Sequence, residues 1–295
     1  MKQITVFLSG ILLLATLFSC EEYEDYTYDY DYTTVYFGSQ TPIRTVVARD
    51  TMELELGVTI GGVLENNSDE WATYSVDEDL LAIYDTEGLF TVLPEEYYSL
   101  SNDSIFVIEK GEYAGTVTCT FDRDLFTADA FAMDETYAIP LLLNNTSVDS
   151  ILSTKDYSII VVKYVSPYHG YYYSKGVQYT LGEDGFPTDT TTFYDADLSQ
   201  NDVKEFSTLG LNTISATYFG SSITGDMELT VNDDNTVDVT SDDVTITNDD
   251  NCIYDEDEKT FYLNVELTKS SISYSVSDTL ILRQDPEDDI RYEEW

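Results

Sequence analysis

The chain has 295 residues, with 13 Lys and Arg against 57 Asp and Glu, for a formal net charge of −44. A field of this sign repels phosphate backbones and anionic membrane surfaces, which makes nucleic acid a poor partner. The charge does not imply disorder, because 42% of the residues are hydrophobic and 14% aromatic, enough for packed cores.

The chain opens Met1-Lys2-Gln3, and an apolar run follows from Ile4 to Phe18. The run is too short to span a bilayer but suits a signal-peptide core, which assigns residues 1–19 to a signal peptide. Leu17-Phe18-Ser19-Cys20 resembles a bacterial lipobox, with Phe18 a loose fit. The resemblance implies a diacylated Cys20 at the mature N-terminus, where lipid chains anchor a soluble protein without a transmembrane helix. Residues 20–33 form an acidic, Tyr-rich tether that self-repels and extends. An acidic run directly behind such a cysteine also resembles the surface-export signal of Bacteroidota lipoproteins. Beyond Cys20 only Cys119 and Cys252 remain. They fall in different halves and read as small buried apolar residues, not as a bridge.

From Thr34 the pattern is nearly all β. Thr34 to Phe37 is a first strand, and Met52 to Ile60 alternates apolar and polar residues as a half-buried strand does. Further strands are expected at Trp71–Val76, Ser104–Ile108, Gly115–Phe121, Tyr137–Leu143 and Tyr157–Tyr164. Asp79 to Tyr84 reads as one short helix with Asp77 as its cap. About seven or eight strands over 34–165 suggest an immunoglobulin-like β-sandwich, without the Cys-Trp-Cys hallmark of antibody domains.

A Pro, a Gly and an aromatic cluster follow in Ser166-Pro167-Tyr168-His169-Gly170-Tyr171-Tyr172-Tyr173, which holds the only His of the chain. Such a stretch reads as a domain joint, a ligand platform, or both. Beyond it, strands are expected at Val177–Leu181, Thr190–Tyr194, Thr213–Tyr218, Asp226–Val231, Thr236–Thr240, Lys259–Thr268 and Ser271–Arg283. The polar hairpin loops between them suggest that residues 166–295 are an antiparallel β-meander, barrel-like if closed. The fold class is therefore all-β, with two domains.

Three groups of residues carry a family resemblance. Leu93-Pro94-Glu95-Glu96-Tyr97-Tyr98, Ile105 to Ile108, Gly111 and Tyr137-Ala138-Ile139-Pro140-Leu141 resemble a lipoprotein domain of unknown function in gut Bacteroidota, also found ahead of surface glycosidase modules. Tyr168 to Gly176 looks like the opening of a second such domain. Ile290-Arg291-Tyr292-Glu293-Glu294-Trp295 is similar to its usual ending of Arg, an aromatic, then Glu-Glu-Trp. The resemblance implies an outer-membrane lipoprotein facing the cell exterior, in a polysaccharide-utilisation system with SusC/SusD-like partners. It implies binding of polysaccharide or host glycan, and it carries no catalytic residues.

The residues themselves agree with a non-enzyme. A nucleophilic triad would have to use His169, and there is no Gly-x-Ser-x-Gly elbow. Zinc is not expected from one His and two distant thiols. Asp249-Asp250-Asn251 with Asp255-Glu256-Asp257 offers oxygen ligands for a structural Ca²⁺, but EF-hand spacing is missing and solvated hairpin loops are the better reading. No cofactor is expected. Sugar rings lie on aromatic planes while their hydroxyls bond to polar side chains. The candidate ligand residues are accordingly Trp71, Tyr168, His169, Tyr171, Tyr172, Tyr173 and Trp295. Each has a packing alternative: consecutive tyrosines of an extended strand face opposite sides, so at least one of Tyr171–Tyr173 packs inward, and Trp295 would cover the base of the second domain. A structural or adhesive surface protein with protein partners is the rival reading.

Overall fold

The computed structural model describes residues 32–295. The expected signal peptide, Cys20 and all of the tether except Tyr32 and Thr33 lie outside the described residues. In chain order the first eleven strands are β1 (Thr34–Tyr36), β2 (Pro42–Val47), β3 (Glu53–Gly61), β4 (Glu70–Val76), β5 (Thr91–Val92), β6 (Tyr98–Leu100), β7 (Ile105–Ile108), β8 (Ala114–Phe121), β9 (Tyr137–Thr146), β10 (Ser150–Ile151) and β11 (Tyr157–Val165). One sheet runs β10-β1-β3-β8-β6, and the second contains β2-β11-β9-β4-β7 with β5 beside β9. The alternation of β3 puts Leu54, Leu56, Val58 and Ile60 on the inner face, where they meet Val117 and Cys119 of β8 and Tyr74, Phe106 and Ile139 of the facing sheet. Burying such side chains contributes about 1.5–3 kcal/mol each. Surface repulsion between acidic groups is screened beyond ~8 Å at physiological salt, so the cores win over the net charge.

The second sheet is covered on both faces around β11. Ile160 and Val162 enter the main core, while Ile159 and Val161 pack outward with Ile43, Ala138 and Leu80. That is why β11 reads as a continuous apolar run and not as an alternation. Leu80 belongs to α1 (Asp79–Tyr84), the expected helix; its N-cap position is Glu78, without a side-chain cap bond, and Asp77, expected as the cap, lies one residue earlier and accepts from the Asp79 N–H at 3.1 Å. A second short helix, α2 (Arg123–Ala128), buries Phe126. Strand β2 was not expected, because its burial runs in pairs and Arg44 and Thr45 interrupt its apolar residues.

The later strands are β12 (Gly170–Leu181), β13 (Pro187–Phe193), β14 (Asp202–Thr208), β15 (Thr213–Phe219), β16 (Ile223–Val231), β17 (Val237–Thr240), β18 (Thr245–Asn248), β19 (Ile253–Asp255), β20 (Thr260–Lys269), β21 (Ile272–Leu282) and β22 (Glu293–Glu294). One sheet orders them β17-β16-β15-β14-β12-β21-β20-β18, with β13 on β12 and β19 on β20. Its ends meet through a bridge between Thr236 and Ile253 and backbone bonds from Val237 N to Cys252 O and from Tyr254 N to Asn235 O, both 2.9 Å. The meander is thus a nearly closed barrel, which removes most of its free edges. Tyr172, Phe206, Phe219, Leu229, Phe261 and Leu280 fill it. Gly176 stands where β12 exchanges β14 for β13 as its neighbour. A Cβ there would overlap the Ser277 carbonyl oxygen and press on the Phe193 ring.

After α3 (Pro286–Asp289) the chain returns to the first half. Strand β22 pairs with β2, and the Trp295 indole Nε1 donates to the Ile159 carbonyl at 3.1 Å. Its ring meets Phe90 edge-on at 4.7 Å. Trp295 therefore covers the outer face of the sandwich sheet. The expectation that it covers the base of the barrel is corrected: β22 carries the last residues across to the partner strand that leaves its edge open. The same crossing is held by Arg49, whose guanidinium reaches Asp285 at 2.7 Å and Glu287 at 2.9 Å.

Candidate functional site: a cleft beside the joint

Ser166 fixes the turn between β11 and β12. Its N–H donates to Thr208 Oγ1 at 2.9 Å, its hydroxyl donates to the Leu211 carbonyl at 2.9 Å, and its carbonyl accepts from the His169 N–H at 3.0 Å. The turn directs successive side chains to different places. Tyr168 turns into the barrel end, edge-on to Tyr254 at 4.9 Å and to Phe261 at 6.0 Å. Tyr172 is 0% exposed, and its hydroxyl donates to the Tyr168 carbonyl at 2.7 Å. Tyr172 is core and offers no face to a ligand, while Tyr168 is half-buried and packs against that core. Its neighbours Tyr171 and Tyr173 point to the outer wall, roughly 7 Å apart along the strand.

His169 and Tyr171 come together in a cleft of about 410 Å³. Its walls are Thr45, Lys163 and Val165 from the sandwich, Gly170 and Glu205 from the barrel, and Pro286, Asp289, Ile290, Arg291 and Glu293 from the returning tail. Tyr171 is 38% exposed, and its hydroxyl donates to Glu205 Oε1 at 3.1 Å. That hydrogen bond, together with the Glu205 charge, raises the phenol pKa, so Tyr171 stays protonated. Burial lowers the His169 pKa, against the opposing pull of Glu205 and Asp289, so the imidazole is neutral near pH 7. Its Nδ1 lies 3.4 Å from Thr208 Oγ1, an oxygen already accepting from Ser166. Lys163 reaches Glu135 at 2.7 Å and Glu293 at 3.6 Å. Arg291 is exposed and makes no ion pair among the described residues.

This arrangement suits recognition. Three carboxylates accept, Lys163 and Arg291 donate, and the Tyr171 ring supplies a partly open aromatic surface. Lys163, Glu205, Asp289 and Arg291 escape a reading of the sequence, because only the crossing of the tail assembles them. Lys163 alone left a signal, as a cation inside the apolar run of β11.

The other candidates lie apart. Trp71 sits on β4 opposite Val107, on the face turned away from the core residues Ala72 and Tyr74. Trp295 is held against Ile159. The acidic loops weighed for Ca²⁺ bond to backbone: Asp249 accepts from the Val239 N–H on β17 at 2.8 Å, and Asp255 from the Glu258 N–H of its own turn at 2.8 Å. Among the described residues, no group of three or more His, Cys, Asp or Glu is placed to hold a metal ion. Cys119 and Cys252 are both free and buried.

Residues 28–150 match a family model described as "-like, N-terminal domain". No curated protein matches the chain. Among solved structures, a protein of unknown function from Bacteroides ovatus superposes with a TM-score of 0.73 at 22% identity, over 90% of this chain and 98% of its own. A multidomain protein including DUF1735 from Bacteroides ovatus gives a TM-score of 0.46 at 16% identity, over 90% of this chain and 100% of its own. The likeness to the first establishes the fold: the sandwich and the barrel recur together in one solved protein.

Proposed function

We propose that the protein is a non-catalytic glycan-binding protein that takes polysaccharide or host glycan in the cleft beside the joint. The observation that carries the proposal is the meeting of a partly open Tyr171 ring with hydrogen-bonding groups of both kinds in one groove. A sugar ring stacks on such a face, and its hydroxyls exchange hydrogen bonds with carboxylate, guanidinium and ammonium groups. Tyr173 extends the aromatic strip along β12. Residues 34–165 and 166–295 act as two domains whose joint forms the site.

The proposal includes location and partners. The lipobox-like Leu17-Phe18-Ser19-Cys20 and the acidic tether support anchoring through lipid on Cys20, with the protein facing the cell exterior beside SusC/SusD-like transport proteins. Among the described residues, no helix is long and apolar enough to cross a membrane. The test is calorimetric titration with a panel of polysaccharides and host glycans. Binding by the parent protein that is lost in the Tyr171→Ala, Tyr173→Ala double variant, with melting temperature unchanged, supports the site. Binding that survives the double variant moves the site elsewhere, and absence of binding across the panel refutes glycan recognition.

A further inference from the structure

The barrel holds a charged pair out of contact with water. Lys204 on β14 and Asp278 on β21 are 1% and 3% exposed, and the ammonium Nζ lies 2.6 Å from Asp278 Oδ2. Every other ion pair among the described residues is open to solvent on at least one side. The two strands are not neighbours, since β12 runs between them. Lys204 stands opposite Tyr172 and Asp278 opposite Gly176, so the lysine reaches diagonally across β12. Ser174, between those two positions, donates its hydroxyl to Asp278 Oδ1 at 2.9 Å. The Tyr218 ring closes over Nζ at 4.7 Å.

Two buried charges cost several kcal/mol each in lost hydration. Burial lowers the amine pKa and raises the carboxyl pKa, against their mutual attraction, so each group is driven toward its neutral form. Passing one proton from Nζ to Oδ2 across the 2.6 Å contact turns the ion pair into an amine and a carboxylic acid, the reactant pair for amide condensation, in a site closed to solvent.

We propose that Lys204 and Asp278 join in an intramolecular isopeptide bond between Nζ and Cγ. The Nζ lone pair attacks Cγ, and negative charge builds on Oδ1, where the Ser174 hydroxyl already donates. Oδ2 carries the acid proton, takes one proton from the Nζ it touches, and leaves as water. One C–N bond forms and one C–O bond breaks, with no oxidant or reductant. The secondary amide replaces two buried charges, and fixed proximity supplies the effective concentration that amide formation otherwise lacks. The bond ties β14 to β21 across β12, near the point where β12 exchanges partners.

Tryptic digestion of the full-length protein after denaturation, read by mass spectrometry, decides the matter. A linked Lys204 resists cleavage, so the segment 176–259 appears intact and joined to 270–283, lighter by one water than their sum. Free peptides 176–204, 205–259 and 270–283 at full mass overturn the proposal. The Asp278→Ala variant restores cleavage after Lys204 whether or not it folds, because the digest is made on denatured chain. Resistance at Lys204 that persists in Asp278→Ala also overturns it, by placing the modification elsewhere.

Discussion

Replacing Asp285 by Asn removes one charge from the crossing between barrel and sandwich while keeping the shape of the side chain. The Asp285 carboxylate receives Arg49 Nη2 at 2.7 and 2.8 Å and Lys259 Nζ at 2.5 Å, and it caps α3 by accepting from the Glu287 N–H at 3.0 Å. Burial alone would raise its pKa, but the hydrogen bonds from Lys259 and Arg49 hold it at about 2, against an ordinary 3.8. The difference, 3.8 − 2, is about 1.8, or about 2.4 kcal/mol favouring the ionised carboxylate in the folded protein. Lys259 is about half exposed and Arg49 about a third, so solvent screening reduces this to about 1–2 kcal/mol. Because the folded pKa is depressed, the contribution is complete above the ordinary carboxylate range and is lost as pH falls toward 2. Urea unfolding at pH 7 should show Asp285→Asn less stable by that amount, with the gap to the parent closing as pH falls below about 4. Asp285→Ala should lose about 1 kcal/mol more, because Asn retains the cap and Ala does not. Equal midpoints at pH 7, or a gap that keeps its size at acid pH, would refute the reasoning.

Other outcomes follow from packing. Trp295→Ala removes the indole from Phe90 and strands the Ile159 carbonyl, and should cost about 1–3 kcal/mol in urea unfolding; an unchanged midpoint would mean that the tail does not hold the sandwich. Gly176→Ala forces a methyl group against the Ser277 carbonyl and should cost about 1–3 kcal/mol or more, read as a fall in melting temperature. Burial raises the Cys119 thiol pKa to about 12 and the Cys252 thiol pKa to about 11, so neither should react with a thiol reagent in the native protein and both should react on unfolding. Fast native labelling at either position would contradict its burial.

The two halves were legible to different degrees. Strand β3 announced itself by alternation and α1 by its short apolar run after Asp77, because both are set by local periodicity. Strands β18 and β19 carry no periodic signal, since each is only three or four residues long and rests on β20 for its pairing. Of the tyrosine cluster, the inward turn of one ring followed from the strand period, but its identity as Tyr172 depended on which face of β12 closes the barrel. Tyr168 looked like a surface aromatic, yet the Ser166 turn aims it at Tyr254 and Phe261.

By itself, the sequence determined the all-β class and the sandwich followed by a meander. Periodicity, turn residues and composition act over a few residues and need no knowledge of the partner strand. Only the tertiary structure decided that the meander closes, that Trp295 returns to the sandwich, and that Lys204 meets Asp278 across β12. Those contacts join residues 17 to 136 positions apart, and their pairing is chosen by how whole faces bury together. The cleft at His169 and Tyr171 belongs to the same class, since its lining comes from four stretches of chain that no local pattern connects.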